Sequence, residues 1–499
     1  MLPVTRIKTF GEIFPTQIIE LVSGGPGLFS FQLVLWDGKE ASIWSSLRKA
    51  SPSGFGVTIF EPPEVDSNIL RAIRFPTPPH AYSSISELFR LVAGLIQDYT
   101  ALSEKLCRLL AYCVFASWLA DCTPIPICIS IVGPESSQGR QLFRVLSCLF
   151  RRALPLSDVS LSELCSLPSG LFPALFLEQR ELSTQSEKVL YASHGRGTSI
   201  LWKGRPVDLG WAKVIRCEEP LNNFSLGPAV IEIPVDPVPH SIPMLHPGTE
   251  QRIAGWFQPM LLMYRLMHIH RIADSRVDFP DFAPPVREVA CCLAQCMPDI
   301  PDVQSEMTSL LEERNLQVQS EFETNPLSIV IEAMLSFCHK KVKSVRVAEV
   351  ATAANAISEQ DGETLELSAK AAGDKLKLLG LRTQRIDARS RGLFLTEATR
   401  QLIHKRAWDY GVTKTRDMQL CKDSKHFAKL EKERTKPTAL GKGPQPSVQP
   451  QDDHLRPLVQ PNTDQAQSVD QGQDIEAPRE SGSNDKQDLV DKLKKESQP

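Results

Sequence analysis

The sequence contains no long hydrophobic run. Its most apolar stretch, Leu109 to Ala120, is followed at once by Asp121, whereas a membrane-spanning helix needs roughly 18 consecutive apolar residues. The first residues, MLPVTRIKTFGEIF, also lack the apolar core and the small-residue cleavage site of a secretory signal. We therefore expect a cytoplasmic protein without a membrane segment.

The chain also lacks a large excess of charge and a disulfide pattern. Its 499 residues carry a net charge of −3 and are 42% hydrophobic and 23% charged, which is typical of a soluble globular protein and favours no class of partner. The cysteines lie within apolar helix and strand patterns, unlike those of disulfide-rich domains. Cys291, Cys292 and Cys296 share one predicted helix without a second CxxC or HxxxH. We interpret them as small buried side chains and predict no metal site.

Changes in composition divide the chain into segments. FSFQLVLWDGKEASIW (29–44) alternates apolar and polar residues around Asp37-Gly38, which indicates a β-hairpin. From Asp417 to Pro499 the chain is polar with few aromatic residues, which is typical of a disordered tail. The predicted segments are a small β-rich unit (1–66), an α/β core with its preceding helices (84–245), a helical lid (246–322), a C-terminal unit (325–412) and the tail (417–499).

One strand–turn–helix pattern is similar to a phosphate-binding loop without its lysine. A working loop reads GxxxxGK followed by Ser or Thr, in which backbone N–H groups and the lysine hold phosphates and the hydroxyl holds Mg²⁺. In IVGPESSQGRQ the spacing between the two glycines is one residue longer, an arginine replaces the lysine, and Gln141 replaces the hydroxyl. The candidate nucleotide-binding residues are Gly133, Ser136, Ser137, Gly139 and Arg140.

A second apolar strand ends in the candidate catalytic residues. PALFLEQREL (173–182) places Glu178 and Gln179 at the end of its strand, where hydrolysis of a nucleotide needs one group to hold the metal and another to activate the attacking water. A neutral glutamine cannot accept a proton, although it can orient a water molecule. We therefore predict at most a weak ATPase, with ATP and Mg²⁺ as its cofactors.

The order of these elements is similar to that of a known family. The run LLAYCVFASWLADCTPIPICISIVGPESSQGRQLFRVLSCLFRRALPLSDVS, followed by LPSGLFPALFLEQREL, WAKVIRCEEP and AVIEIPV, resembles the ATPase core of AAA+ or superfamily 3 helicase-like proteins. Within that family it is most similar to the poxvirus-type primase-helicase kind found in phages and mobile elements. The resemblance covers residues 85–320. It implies an α/β, P-loop NTPase-like (AAA+-like) parallel sheet with a helical lid, a homo-oligomer and a role on DNA.

The family has functional residues at two further positions. The family carries a polar sensor residue after the strand WAKVIRC, for which Cys217, Glu218 and Glu219 are the candidates. It also places an arginine just before the last core strand, where this chain has GPA (227–229). Loss of such an arginine lowers turnover by about 10³- to 10⁵-fold. Two interpretations remain open: either Arg140 binds a phosphate, or it braces a loop in a purely structural core.

The C-terminal unit combines a winged helix-turn-helix pattern with positive charge. A second helix is capped by Ser368 and ended by Gly380, and RTQRIDARSRGLFLT (382–396) indicates two strands around a charged turn. Residues 340–416 contain 16 Lys or Arg against 9 Asp or Glu, a balance of +7, which favours nucleic acid as the partner. The candidate DNA-binding residues are Lys370, Lys375, Lys377, Arg382, Arg385, Arg389 and Arg391.

Two functions are therefore compatible with the sequence. The first is a helicase-like DNA-associated protein with a degenerate ATPase site. The second is a non-enzymatic DNA-binding or scaffolding protein, because winged helices also serve as protein-interaction modules. The presumed recognition helix carries no Asn or Gln, which are the residues that read adenine, so we do not expect strong sequence specificity.

Overall fold

The computed structural model of the protein describes most of the chain up to Val412. The described residues are 4–24, 30–50, 56–64, 66–135, 137–157, 160–168, 170–179, 190, 199–220, 229–236, 242–274, 277–297, 299–300, 302–340, 342–360, 366–387, 390–410 and 412. They form two compact units, one that extends to Asn325 and one that begins at Pro326. The predicted tail lies outside the described residues, and the finer boundaries predicted within the first unit remain predictions.

The first unit begins with seven strands in two sheets. These strands are β1 (Val4–Lys8), β2 (Gly11–Ile13), β3 (Ile18–Ser23), β4 (Phe31–Trp36), β5 (Ala41–Trp44), β6 (Leu47–Ala50) and β7 (Val57–Glu61). The sheet orders are β2-β3-β4-β5 and β1-β7-β6. The predicted hairpin joins β4 to β5, and Asp37 Oδ1 accepts from the backbone N–H groups of Lys39 and Glu40 at 2.8 Å each. Gly38 has a φ of 99°, a conformation that suits glycine in a tight turn.

The centre of the first unit is a parallel sheet. The helices and strands of this region are α1 (Ser67–Ala72), α2 (Ile85–Tyr99), α3 (Glu104–Trp118), β8 (Cys128–Val132), α4 (Ser137–Leu149), β9 (Ala153–Leu156), α5 (Leu161–Ser166), β10 (Ala174–Glu178), β11 (Ser199–Trp202), β12 (Arg205–Asp208), β13 (Lys213–Cys217) and β14 (Ile231–Pro234). Five of the strands form one sheet in the order β14-β8-β13-β10-β9, and each neighbouring pair is parallel. The strand residues are almost all buried, as expected when helices cover both faces. The predicted parallel α/β sheet is therefore confirmed.

Helices complete the first unit. They are α6 (Pro247–His268), a 3₁₀ turn (Ile269–Asp274), α7 (Pro284–Gln295) and α8 (Val303–Thr324). Cys292 on α7 and Cys296 directly after this helix are buried, and Cys291 is half-buried. Across the described ranges, no group of three or more His, Cys, Asp or Glu residues can hold a metal ion. None of the helices in this part of the chain is long and apolar enough to span a membrane.

In its described residues, the second unit packs four helices with a small antiparallel sheet. Its elements are α9 (Pro326–His339), β15 (Ser344–Arg346), α10 (Val347–Gln360), α11 (Ala369–Leu378), β16 (Gln384–Arg385), β17 (Arg391–Phe394) and α12 (Glu397–Asp409). The strand order is β15-β17-β16. Ser368 caps α11, because its side chain accepts from the N–H of Ala371 at 3.2 Å, and Gly380 after the helix has a φ of 76°. Both ends of this helix are as predicted. A Cβ on Gly392 would lie 2.0 Å from the carbonyl oxygen of Val345, so β15 and β17 can pair only with glycine at this position.

A buried cluster of charges joins β3 to the central sheet and its helices. Glu20 on β3 is 1% exposed, and its Oε1 accepts from Arg151 and Arg152 at 2.6 Å each. Its Oε2 accepts from Nε of Arg265 on α6 at 3.2 Å. Asp121 pairs with Arg265 at 2.5 Å and with Arg151 at 3.6 Å. We call these five residues the ionic cluster.

The charge of Glu20 depends on the folded structure. Burial by itself raises the pKa of this carboxyl, but the attraction of Arg151, Arg152 and Arg265 outweighs burial and lowers the pKa from 4.5 to about 2. Because the pKa is lower in the folded chain than in the unfolded chain, the contribution of Glu20 to stability is fully present above pH 4.5. It is lost as the pH falls through about 2.

We expect Glu20→Gln to lower the free energy of unfolding by about 3–5 kcal/mol, because it leaves buried guanidinium groups without their main carboxylate. The control is Glu61→Gln, whose partner Arg6 has a side chain 66% exposed, and it should cost less than about 1 kcal/mol. Urea unfolding of the full chain at neutral pH, followed by tryptophan fluorescence, compares the two. Equal effects would contradict a structural role for the cluster.

Candidate functional site

The predicted phosphate loop lies at the carboxyl end of β8, the edge of a parallel sheet at which ligands usually bind. A Cβ on Gly133 would lie 2.2 Å from the carbonyl oxygen of Val235, so the residue after β14 closes over this position. The N–H of Gly133 donates to the carbonyl of Cys217 at 3.2 Å. This N–H therefore extends the sheet and is not directed at an anion.

The first turn of α4 is packed against neighbouring side chains. A Cβ on Gly139 would lie 3.2 Å from Cγ2 of Val235 and 3.4 Å from Nε of Arg216. Ser136 lies outside the described residues, and α4 begins at Ser137. Gln141, the residue that replaces the Mg²⁺-binding hydroxyl, donates through Nε2 to the carbonyls of Tyr99 and Pro243 at 2.9 and 2.6 Å. Its amide therefore joins α4 to the end of α2 and to the segment before α6.

The fold brings Arg140 and Glu178 together. Oε1 of Glu178 accepts from Nε of Arg140 at 3.1 Å and from Nη1 of Arg216 at 2.9 Å. Nη2 of Arg140 also lies 3.7 Å from Oε1 of Glu135. The side chain of Arg140 is 56% exposed, whereas that of Arg216 is 9% exposed. The carboxylate that we predicted to serve a metal therefore faces two guanidinium groups.

Arg216 was not among the residues that the sequence indicated. It lies on β13 between β8 and β10, directly opposite Glu178 in the sheet register. The signal that could have revealed it is a charged residue inside the apolar strand KVIRC, all of which is buried. The neighbouring sensor candidate, Cys217, is buried with its Sγ 3.3 Å from Oγ of Ser130.

Gln179 follows β10, and its backbone N–H donates to the carbonyl of Arg216 at 3.0 Å. Strand pairing therefore continues one residue beyond Glu178. Of the other positions compared with the family, Gly227 and Pro228 lie outside the described residues, Ala229 is buried, and Glu218 and Glu219 are exposed. The catalytic and nucleotide-binding roles of the loop and of the two strand-end residues remain predictions.

A second candidate site is a cleft of about 790 Å³ in the C-terminal unit. It is formed by α11, the start of α10 and the β16–β17 hairpin. The charged residues that line it are Arg346, Lys370, Asp374, Lys377, Arg382 and Arg391. We call it the basic cleft.

The basic cleft contains four of the seven predicted DNA-binding residues. Lys370 and Lys377 share one face of α11 because they are two helical turns apart, whereas Lys375 projects from another face and does not line the cleft. Arg385 on β16 is exposed but also lies outside the cleft lining. Arg389 lies outside the described residues.

Three cations of the basic cleft are unpaired within the part of the chain that the structure describes. The side chains of Lys370, Lys377 and Arg382 make no ion pair or hydrogen bond there. Nη2 of Arg391 donates to the carbonyl of Thr383 at 3.3 Å, and Arg346 pairs with a carboxylate of the hairpin at 3.0 Å. The cleft can thus supply several cationic groups to an anionic ligand.

No protein-family model matches the chain, and no curated protein matches it. Two solved structures of the NrS-1 C-terminal region, both A-form apo structures, have TM-scores of 0.31 and 0.29 at 8% identity. They cover 76% of this chain and 97% and 96% of their own chains. A structure of Drosophila ORC bound to DNA has a TM-score of 0.17 at 12% identity, and the match covers 66% of this chain and 95% of that chain. Similarities of this size do not establish a function.

Proposed function

We propose that the chain is a DNA-associated protein that holds duplex DNA in its basic cleft. The observation that carries this proposal is the convergence of Lys370, Lys377, Arg382 and Arg391 on one cleft, with three of these cations unpaired within the described residues. Cations that are free to meet phosphates release counterions from the duplex, and this release is the main source of affinity in sequence-independent binding.

The order of elements in the second unit supports a winged helix-turn-helix. The helix α9, the strand β15, the helix pair α10 and α11 and the hairpin β16–β17 follow one another along the chain, and the three strands form one antiparallel sheet. In helix-turn-helix proteins the second helix of the pair enters the major groove. In this chain that helix is α11, which carries Lys370 and Lys377.

For the first unit we propose an AAA+-like core with a weak or inactive ATPase site. The parallel sheet with the loop strand β8 among its central strands supports the fold. The pairing of Glu178 with Arg140 and Arg216 opposes hydrolysis, because a phosphate or a metal would have to displace one of these partners. This pairing favours a purely structural core over one that binds nucleotide. Homo-oligomer assembly and cytoplasmic location remain predictions.

We expect the full chain to bind duplex DNA with a steep salt dependence between about 50 and 200 mM salt. The double variant Lys370→Gln, Lys377→Gln should flatten the slope of log K against log salt by about 2 and weaken binding to all sequences alike. The double variant Lys375→Gln, Lys405→Gln removes the same charge outside the cleft and should change the slope less. Fluorescence anisotropy with a labelled duplex measures both.

Two results would contradict this proposal. If the full chain does not bind duplex DNA, or binds it without salt dependence, the second unit is better explained as a protein-interaction module. If the two double variants weaken binding equally, the DNA contacts lie elsewhere than in the basic cleft.

We also expect neither ATP nor ADP, with Mg²⁺ and at millimolar concentration, to raise the Tm of the chain, because a ligand stabilises a protein only if it binds the folded state. Arg140→Ala should then leave DNA binding unchanged. Thermal unfolding with and without nucleotide, against a control with Mg²⁺ alone, makes the comparison. A nucleotide-dependent rise in Tm that Arg140→Ala abolishes would instead establish a phosphate site at the loop.

A further inference from the structure

A carboxylate lies among the cations of the basic cleft. Asp374 on α11 lines the cleft, and the other charged residues of the lining are Lys or Arg. Lys370 and Lys377 are four residues before and three residues after Asp374 on the same helix, which are spacings that allow ion pairs. Within the described residues, the side chain of Asp374 nevertheless makes no ion pair or hydrogen bond. Its carboxylate is therefore free to contact a ligand.

The position of Asp374 separates it from the phosphates of a bound duplex. Lys370 and Lys377 are about 10.5 Å apart along the helix axis, and the major groove of B-DNA is about 12 Å wide. The groove admits an α-helix, and where α11 crosses it, Lys370 and Lys377 can reach the phosphates on either side. Asp374 then lies between them, above the edges of the base pairs.

A glycine beside Asp374 allows the helix to approach the bases closely. Gly373 lines the cleft, and a Cβ at this position would meet Cγ1 of Val347 at an ordinary 3.6 Å. The packing of the unit therefore does not require glycine there, although glycine within a helix is less favourable than alanine. A surface without a Cβ at the centre of the cleft suits contact with a flat ligand such as a base-pair edge.

The chemistry of a carboxylate selects among the bases. A carboxylate repels phosphates and only accepts hydrogen bonds. In the major groove guanine presents acceptors, and thymine presents an acceptor and a methyl group. Adenine presents its N6 amino donor beside the N7 acceptor, whose lone pair repels a carboxylate, whereas cytosine presents its N4 amino donor without an acceptor of its own beside it. We propose that Asp374 accepts a hydrogen bond from the N4 amino group of a cytosine and so selects cytosine at one position of the bound duplex. This inference rests on the proposed binding of DNA in the basic cleft.

The test is selection of bound sequences from a random duplex library by the full chain. We expect the unaltered chain to prefer cytosine about 10-fold at one position. Asp374→Asn should transfer that preference to adenine, because an asparagine amide pairs with N6 and N7 of adenine. Asp374→Ala should lose the preference and bind all sequences more tightly, because it removes a charge that repels phosphates.

The matched control is Glu359→Gln, which removes one negative charge from an exposed position on α10 outside the cleft lining. It should keep the preference for cytosine. If the chain binds duplex DNA with steep salt dependence but selects no base, or if Asp374→Asn still selects cytosine, this inference is wrong while the proposed DNA binding stands. Failure to bind duplex DNA at any salt concentration would overturn both.

Discussion

The first unit depends on the burial of one glutamate among three arginines. Glu20 accepts hydrogen bonds from Arg151, Arg152 and Arg265, and none of these side chains can reach water to compensate for a lost partner. Arg152 also donates to the backbone carbonyl of Phe10. Two of the arginines directly follow α4, the helix that begins at the predicted phosphate loop. The N-terminal strands, the residues after the loop helix and α6 therefore meet at this carboxylate, and separating them would leave buried charges unpaired.

The loop helix α4 is also constrained at its first turn. Arg216 and Val235 lie against Gly139, and Arg140 is held by Glu178. A phosphate-binding loop works by leaving backbone N–H groups and a cation free for its ligand, whereas here the N–H of Gly133 donates to Cys217 and the guanidinium of Arg140 donates to Glu178. The C-terminal unit shows the opposite arrangement. Lys370, Lys377 and Arg382 face a cleft of that unit with side chains that are unpaired within the described residues, and this contrast is the physical reason for placing ligand binding there.

The parts of the fold that were predictable are those with a local signal. Apolar runs indicated the parallel strands, Asp37-Gly38 indicated the hairpin, and Ser368 and Gly380 indicated the ends of α11. The ionic cluster had no such signal, since its hydrogen bonds join residues 131 to 245 positions apart. Arg216 was missed for the same reason. A charged residue in a buried strand shows that a partner must exist, but the sequence does not identify a carboxylate 38 positions away.

The net charge of the C-terminal unit overestimates the number of cations that are available to bind DNA. Arg400 contributes to the balance of +7, yet it donates to the carbonyls of Cys338, Val342 and Leu395 and so holds α12 in place. Arg406 likewise donates to a carbonyl at the end of α11. Within the described residues, three cations whose side chains are unpaired, Lys370, Lys377 and Arg382, line one cleft. Charges close to a phosphate affect it more strongly than distant charges, which are screened by salt. A single carboxylate among these cations therefore changes the electrostatic potential at a bound phosphate more than the total charge of the unit indicates.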